Sequence, residues 1–181
     1  MKVLCTPVKT SEQAIREQVR GEGKLNFNQL LVRGKQVSRV ELRYVEYFVM
    51  KYQMIHRKGF SLFRRNSTEV GRFTTQTVYI LGNGSTGSTS YMEVLPEMVT
   101  EDVTARLQKA DYPVDRMKLS ARITLIKLFR RHMGGRMPDF QMLEATSLYR
   151  PFYLIYYDFP RGDGKQLCSV RAADGYSVGK R

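Results

Sequence analysis

Two stretches of the chain carry one pattern of aromatic and aliphatic positions. Tyr44-Val-Glu-Tyr-Phe-Val-Met-Lys-Tyr52 and Tyr149-Arg-Pro-Phe-Tyr-Leu-Ile-Tyr-Tyr157 have tyrosine at both ends. Between the ends, aromatic answers aromatic at Tyr47/Phe152 and Phe48/Tyr153, and aliphatic answers aliphatic at Val49/Leu154 and Met50/Ile155. Runs rich in aromatic and branched residues fit a pleated, half-buried surface, so both predict strands.

Around them the pattern predicts further elements. Thr10-Ser-Glu-Gln13 has the form of a capping box, with a Thr oxygen for the first free amides and a Gln to reach back, and Gly21 stands where a helix stops. A helix is expected from Ser11 to Arg20. Leu25 to Tyr52 reads as a short strand, a turn at Arg33-Gly34-Lys35 and a longer strand. Gln53 to Arg72 reads as a basic hairpin arm, and Thr74 to Leu81 as a strand running into Gly82-Asn-Gly-Ser-Thr-Gly87. Tyr91 to Leu95 predicts a strand stopped by Pro96, and Thr100 with Glu101 and Asp102 predicts a capped helix through Ala110.

Asp115 to Met133 predicts a longer helix stopped at Gly134-Gly135. It has one apolar line at Met117, Ala121, Leu125 and Leu128 and a second at Leu119, Ile123, Ile126 and Met133. So wide an arc predicts burial against a sheet. Tyr149 to Phe159 predicts a strand, Pro160 to Gly164 a turn, and Leu167 to Ala172 a returning strand that ends at Asp174-Gly175.

The offset relating the two tyrosine-rich strands also sets Thr10 opposite Asp115, two helix-cap residues, and each strand leads to another ending in a glycine turn, Asn83-Gly84 or Asp174-Gly175. Two copies of helix, strand, strand account for this most simply. The expected fold class is α+β: an antiparallel sheet with helices packed on one face, in a single domain over residues 1–181, with internal repeats at 10–95 and 100–181.

Composition narrows the function classes. The 181 residues are 42% hydrophobic, enough for an ordinary globular core. Thirty Lys and Arg against seventeen Asp and Glu give a net charge of +13, which favours anionic partners such as nucleic acid. The bases are scattered rather than run together as in a targeting tail. Apolar runs such as Phe152 to Tyr157 fall far short of the roughly 18 residues of a membrane span. Cys5 and Cys168 form no C-x-x-C arrangement, and Met1 to Pro7 is too short in apolar residues for a secretory segment, so a cytoplasmic setting is expected.

The end of the chain, with Tyr149 to Tyr157, a glycine turn and Ser169-Val-Arg-Ala-Ala-Asp-Gly-Tyr176, resembles PepSY-type modules, in which a helix precedes a hairpin whose last strand ends in a V-D-A-x-x-G-like turn. The resemblance covers some thirty residues per half and departs at Arg171, where the pattern has an acidic residue. It implies a non-enzymatic binding or regulatory unit.

Gly82-x-Gly84-x-x-Gly87 spells a dinucleotide fingerprint after a strand, but that chemistry needs a helix N-terminus next, and Ser88 to Val94 favours a strand. A hairpin loop is expected there, with no cofactor. Arg161-Gly162-Asp163 sits where a hairpin needs turn residues. His56 and His132 are the only histidines, and with two separated cysteines they leave little for a metal site. No nucleophile motif occurs, and Glu144, Asp158 and Asp174 are acids whose spacing pairs none of them, so no catalytic residue is assigned.

The candidate contact residues are Arg57, Lys58, Phe60, Phe63, Arg64, Arg65 and Arg72, where aromatic faces interleave with cations as phosphate contacts and base stacking require. The function expected is a non-enzymatic binding or interaction module, with a protein partner or a second copy among its partners. The alternatives are a nucleic-acid-binding accessory protein using the basic arm, and an enzyme without a recognisable motif.

Overall fold

The computed structural model describes residues 2–20, 36–57, 67–70, 73–103, 106–130, 137–160 and 166–176. Along the chain these form β1 (Lys2–Cys5), α1 (Glu12–Arg20), β2 (Gln36–Arg57), β3 (Ser67–Val70), β4 (Phe73–Asn83), β5 (Thr89–Met92), β6 (Val99–Asp102), β7 (Leu107–Gln108), α2 (Val114–Arg130), β8 (Asp139–Pro160) and β9 (Gln166–Asp174). The architecture is α+β, mostly sheet with few helices.

The sheet is mixed rather than antiparallel throughout. β1 meets β8 in parallel at Cys5↔Tyr149, and β7 runs parallel to β2 at Tyr44↔Leu107 and Val45↔Gln108. No turn joins either of these pairs, so the local signals that fix hairpin direction are missing from the sequence. The remaining registered pairs are antiparallel, among them β2 with β4 from Tyr47↔Asn83 to Arg57↔Phe73 and β8 with β9 from Phe152↔Asp174 to Pro160↔Gln166.

The chain divides into two compact units, and neither is a contiguous stretch. One comprises Met1–Val45, Met98–Gln108 and Tyr149–Arg181; the other comprises Glu46–Glu97 and Lys109–Leu148. In the second unit the two-residue period of the strands puts Phe48, Met50, Tyr52 and Met54 of β2 with Val78 and Ile80 of β4 on one buried surface. Met117, Ala121, Leu125 and Phe129, at helical spacing on α2, cover that surface and are fully buried. The first apolar line read from the sequence is thus the core line, with Leu128 packed at its side. The second line is not buried: Leu119 is 63% exposed, Ile123 44% and Ile126 37%. A helix lying on a single sheet covers one face, so the opposite side of its wide apolar arc stays in water. Met133 lies outside the described residues.

β4 is flanked on one edge by β2 and on the other by β3 and β5 placed end to end, β3 against Phe73–Gln76 and β5 against Tyr79–Gly82. The described ends of the expected basic arm therefore do not pair with each other. Gln53 to Arg57 pairs with one edge of β4 and Ser67 to Val70 with the other. The strand expected at Tyr91 to Leu95 is β5, beginning earlier at Thr89 and ending at Met92.

In the first unit Ile15 of α1 packs with Tyr153, Ile155 and Tyr157 of β8, and Val3, Cys5, Tyr44 and Tyr149 form a second cluster. Ser11, not Thr10, caps α1: its Oγ accepts from the Ala14 amide at 3.2 Å, and Gln13 turns outward to donate to Glu17 at 3.0 Å. The described residues of the range Thr100 to Ala110 do not form the expected α-helix. Val99–Asp102 is β6, paired with β1, and Leu107–Gln108 is β7. Val99, Val103 and Leu107 bury against the Val3/Cys5/Tyr44/Tyr149 cluster, so strand pairing and burial override a good cap signal.

The two lines of α2 make opposite predictions. Leu125→Ala removes side-chain atoms from a filled core and is expected to cost about 2–5 kcal/mol, whereas Leu119→Ala is expected to stay within about 0.5 kcal/mol of the parent. Chemical denaturation of both variants checks this, and equal losses would contradict the assignment of faces.

Candidate functional site

The glycine loop after β4 is the first place to look, because its spacing matches a phosphate-binding turn. Its amides from Gly84 to Ser88 are already engaged. The Gly84 amide donates to Glu46 O at 3.1 Å and the Gly87 amide to Asn83 O at 2.9 Å. Asn83 Oδ1 accepts from the amides of Ser85 at 2.9 Å and Thr86 at 3.2 Å, and Thr86 Oγ1 accepts from Ser88 at 3.3 Å. A strand, β5, follows the loop rather than a helix. No cradle of free amides exists, and the loop is a plain hairpin connection.

The glycines have packing reasons instead. A Cβ on Gly84 would stand 2.5 Å from Ala110 Cβ and 2.6 Å from Glu46 O, and one on Gly82 would collide with Met117 Cε. Gly87 takes φ +71°, a left-handed turn position. The Gly84 carbonyl accepts from the amides of Asp111 at 3.0 Å and Tyr112 at 2.9 Å, tying the loop to the entry of α2.

The candidate acids are structural where their partners are on view. Asp174 pairs with Arg150 at 2.6 Å through Oδ2 and accepts from the Tyr176 amide through Oδ1 at 3.0 Å. The Arg150 guanidinium also lies 5.7 Å from the Tyr176 ring centroid. Glu144 accepts from the Thr146 hydroxyl at 2.9 Å. Glu46, not singled out from the sequence, bridges segments by accepting from the Ala110 amide at 2.9 Å and from the Ser147 hydroxyl at 2.8 Å. His56 is buried in β2 opposite Thr74. Among the described residues no cluster of three or more His, Cys, Asp or Glu is placed to hold a metal ion.

Of the proposed contact residues, Lys58, Phe60, Phe63, Arg64, Arg65 and Arg72 lie outside the described residues, as do His132 and the Arg161-Gly162-Asp163 turn. Arg57 closes β2, its backbone in register with Phe73.

What the structure adds is the outer face of α2. At ~100° per residue, Leu119, Ile123 and Ile126 fall on one stripe opposite the buried line. Arg122, Lys127 and Arg130 are exposed along it, and among the described residues no carboxylate pairs with them. Asp115 is bound to Lys118 at 2.8 Å, and Arg116 lies over the Tyr112 ring at 4.5 Å. Thr124 Oγ1 meets Thr89 Oγ1 of β5 at 2.7 Å and fixes the helix flank. The sequence pattern assigns these apolar residues to the core. The signal for exposure is the cations interleaved with them, Arg122 beside Ile123 and Lys127 beside Ile126.

Among the described residues, the most perturbed group sits in the first unit. Burial, and then the charge of Glu101, push Tyr44 up to about 12, and its hydroxyl lies 3.5 Å from Glu101 Oε2. Burial likewise raises the Cys5 thiol. Such groups are kept neutral, which suits a core more than acid–base work near neutrality. An exposed tyrosine ionises near ~10, so the neutral Tyr44 hydroxyl favours the fold fully below that pH, and its contribution is lost as pH rises through about 12. Unfolding midpoints in denaturant, measured across this alkaline window, should therefore fall more steeply for the parent than for Tyr44→Phe. Parallel curves would mean that Tyr44 does not carry the effect.

No family model matches this sequence, no curated protein matches it, and no solved structure matches it.

Proposed function

We propose that the chain is a non-enzymatic binding module, built from two copies of a strand–helix–strand–strand pattern, that engages its partner through the outer face of α2. The duplication is supported by hydrogen bonds that recur in kind. Gly84 N donates to Glu46 O and Gly175 N to Pro151 O, residues equivalent in the tyrosine-rich alignment. The Gly84 carbonyl accepts from Asp111 and Tyr112, and the Gly175 carbonyl from Lys9 and Thr10. Asn83 and Asp174 each accept from the amide two residues on, and Leu107 stands to Tyr44 as Cys5 stands to Tyr149. In this reading Thr10 aligns with Tyr112, not with Asp115, and each unit joins the helix of one copy to the hairpin of the other. The likeness of the β8–β9 hairpin to PepSY-type modules supports a binding or regulatory role, and the free Cys5 and Cys168 support a reducing, cytoplasmic setting.

One observation carries the functional part: the copies differ on the outside of their helices. Ile15 and Met117 are the equivalent buried positions, so Glu17 on α1 corresponds to Leu119 on α2. Glu17 is an ordinary solvated residue, while Leu119 begins an exposed apolar stripe. Positions alike in both copies serve the fold, and this difference serves the partner.

Photo-crosslinking in intact cells tests the reading. A crosslinker at Ile123 should form adducts that Leu119→Ser with Ile126→Ser removes, and one at Glu17 should form none. Absence of adducts at Ile123, or equal adducts at Glu17, would remove the α2 face as the binding surface.

A further inference from the structure

We infer that the outer face of α2 docks lengthwise on an anionic lipid surface, an inference that rests on the α2 reading above and names its partner. The stripe Leu119–Ile123–Ile126 is aliphatic, convex and about 10 Å long at a rise of ~1.5 Å per residue. It is edged by Arg122, Lys127 and Arg130, all exposed. The acid nearest in sequence, Asp115, is already occupied by Lys118. Whatever covers this face must be apolar at its centre and negative at its rim.

Charge decides against a second copy. Packing α2 on α2 in antiparallel fashion across a two-fold axis at the centre of the stripe sets like flanks together and brings Arg122 close to its own counterpart, a repulsive contact. Size decides against a protein groove. A stable protein interface takes about 800 Å² from each partner, and three side chains on two helical turns supply far less. Nucleic acid would engage the cations and leave the aliphatic stripe in water. A lipid surface suits both. Leu119, Ile123 and Ile126 enter the headgroup and acyl boundary, and the long cationic side chains reach back to the phosphates. The net charge of +13 adds attraction over the whole molecule. No described helix is long and apolar enough to cross a membrane.

The chain has no tryptophan, so Ile123→Trp introduces a single reporter at the centre of the stripe. With the purified full chain, co-sedimentation should occur with vesicles of phosphatidylcholine containing phosphatidylglycerol, should weaken as salt is raised, and should be absent with phosphatidylcholine alone. The emission of the introduced tryptophan should shift to the blue only with the anionic vesicles. Leu119→Ser/Ile123→Ser/Ile126→Ser should lower vesicle affinity by about tenfold or more, as should Arg122→Gln/Lys127→Gln/Arg130→Gln, with the unfolding midpoint of each variant near that of the parent. No vesicle binding, binding to both vesicle types alike, or anionic binding that survives the serine variant would overturn the inference. The last of these would mark simple attraction by a basic protein. Loss of vesicle binding alongside Ile123 adducts to a protein would sink the lipid partner alone and leave the α2 reading standing.

Discussion

One backbone unit, Gly84, holds three segments together. Its amide closes onto Glu46 O in β2, its carbonyl takes the amides of Asp111 and Tyr112 at the entry of α2, and its position ends β4. Glu46 reinforces the junction through the Ala110 amide. The approach is so close that any Cβ would overlap Ala110 or the Glu46 carbonyl. There glycine is a requirement of packing against backbone, and the helix register follows from it. Two amides fixed at Asp111 and Tyr112 leave Pro113 to accept from Met117, which turns Met117, Ala121, Leu125 and Phe129 towards the strands. Gly175 does the same work for α1 with Pro151, Lys9 and Thr10, with somewhat more room, since a Cβ there would lie 3.1 Å from the Pro151 carbonyl oxygen.

The same economy explains the length of β2 and β8. Each runs for 22 residues, well beyond the usual strand. β2 lends Leu42 and Tyr44 to the cores of one unit and Phe48, Met50, Tyr52 and Met54 to the core of the other. Hydrophobic periodicity can thus continue through a strand while the surface it buries against changes. The tyrosines at the ends of the repeated pattern, Tyr44 and Tyr149, lie together in the Val3/Cys5 cluster, and Tyr52 and Tyr157 lie in separate cores. A nine-letter pattern that looks like one strand repeated is a strand that serves two cores each time it occurs.

Legibility follows how local the cause is. Period and propensity make α1, the core line of α2, β4 and the β8–β9 hairpin readable, because each is decided within a few residues of itself. Thr100 to Ala110 misleads because its cap-like residues are local, while what holds them, the pairing of β6 with β1 and the burial of Val99 and Leu107, comes from remote parts of the chain. Strand direction at β1 and β7 is illegible for the same reason. The loop at Gly82 to Gly87 spells a phosphate motif because glycine answers both close packing and anion binding, and only the engaged amides separate the two. In the candidate site the residues are legible and their exposure is not: Leu119, Ile123 and Ile126 read as core because apolar periodicity says that a face is apolar, never what covers it.

That exposed face has no explanation within the fold. Polar residues at Leu119, Ile123 and Ile126 would leave the Met117–Phe129 core untouched, and they would lower the risk of association that an apolar patch brings to a folded chain. The helix does not need them for its own stability either, since Ser, Lys or Glu at solvent positions cost tenths of a kcal/mol, about the scale of helix propensity. On α1 the exposed positions Glu12, Gln13 and Glu17 are polar. The cations beside the stripe point the same way. Arg122, Lys127 and Arg130 favour the C-terminal half of α2 through the helix dipole, yet that effect falls off within the last turn and cannot account for Arg122. On the proposal of an anionic lipid partner, apolar centre and cationic rim belong to one device, the stripe entering the lipid and the cations meeting its phosphates.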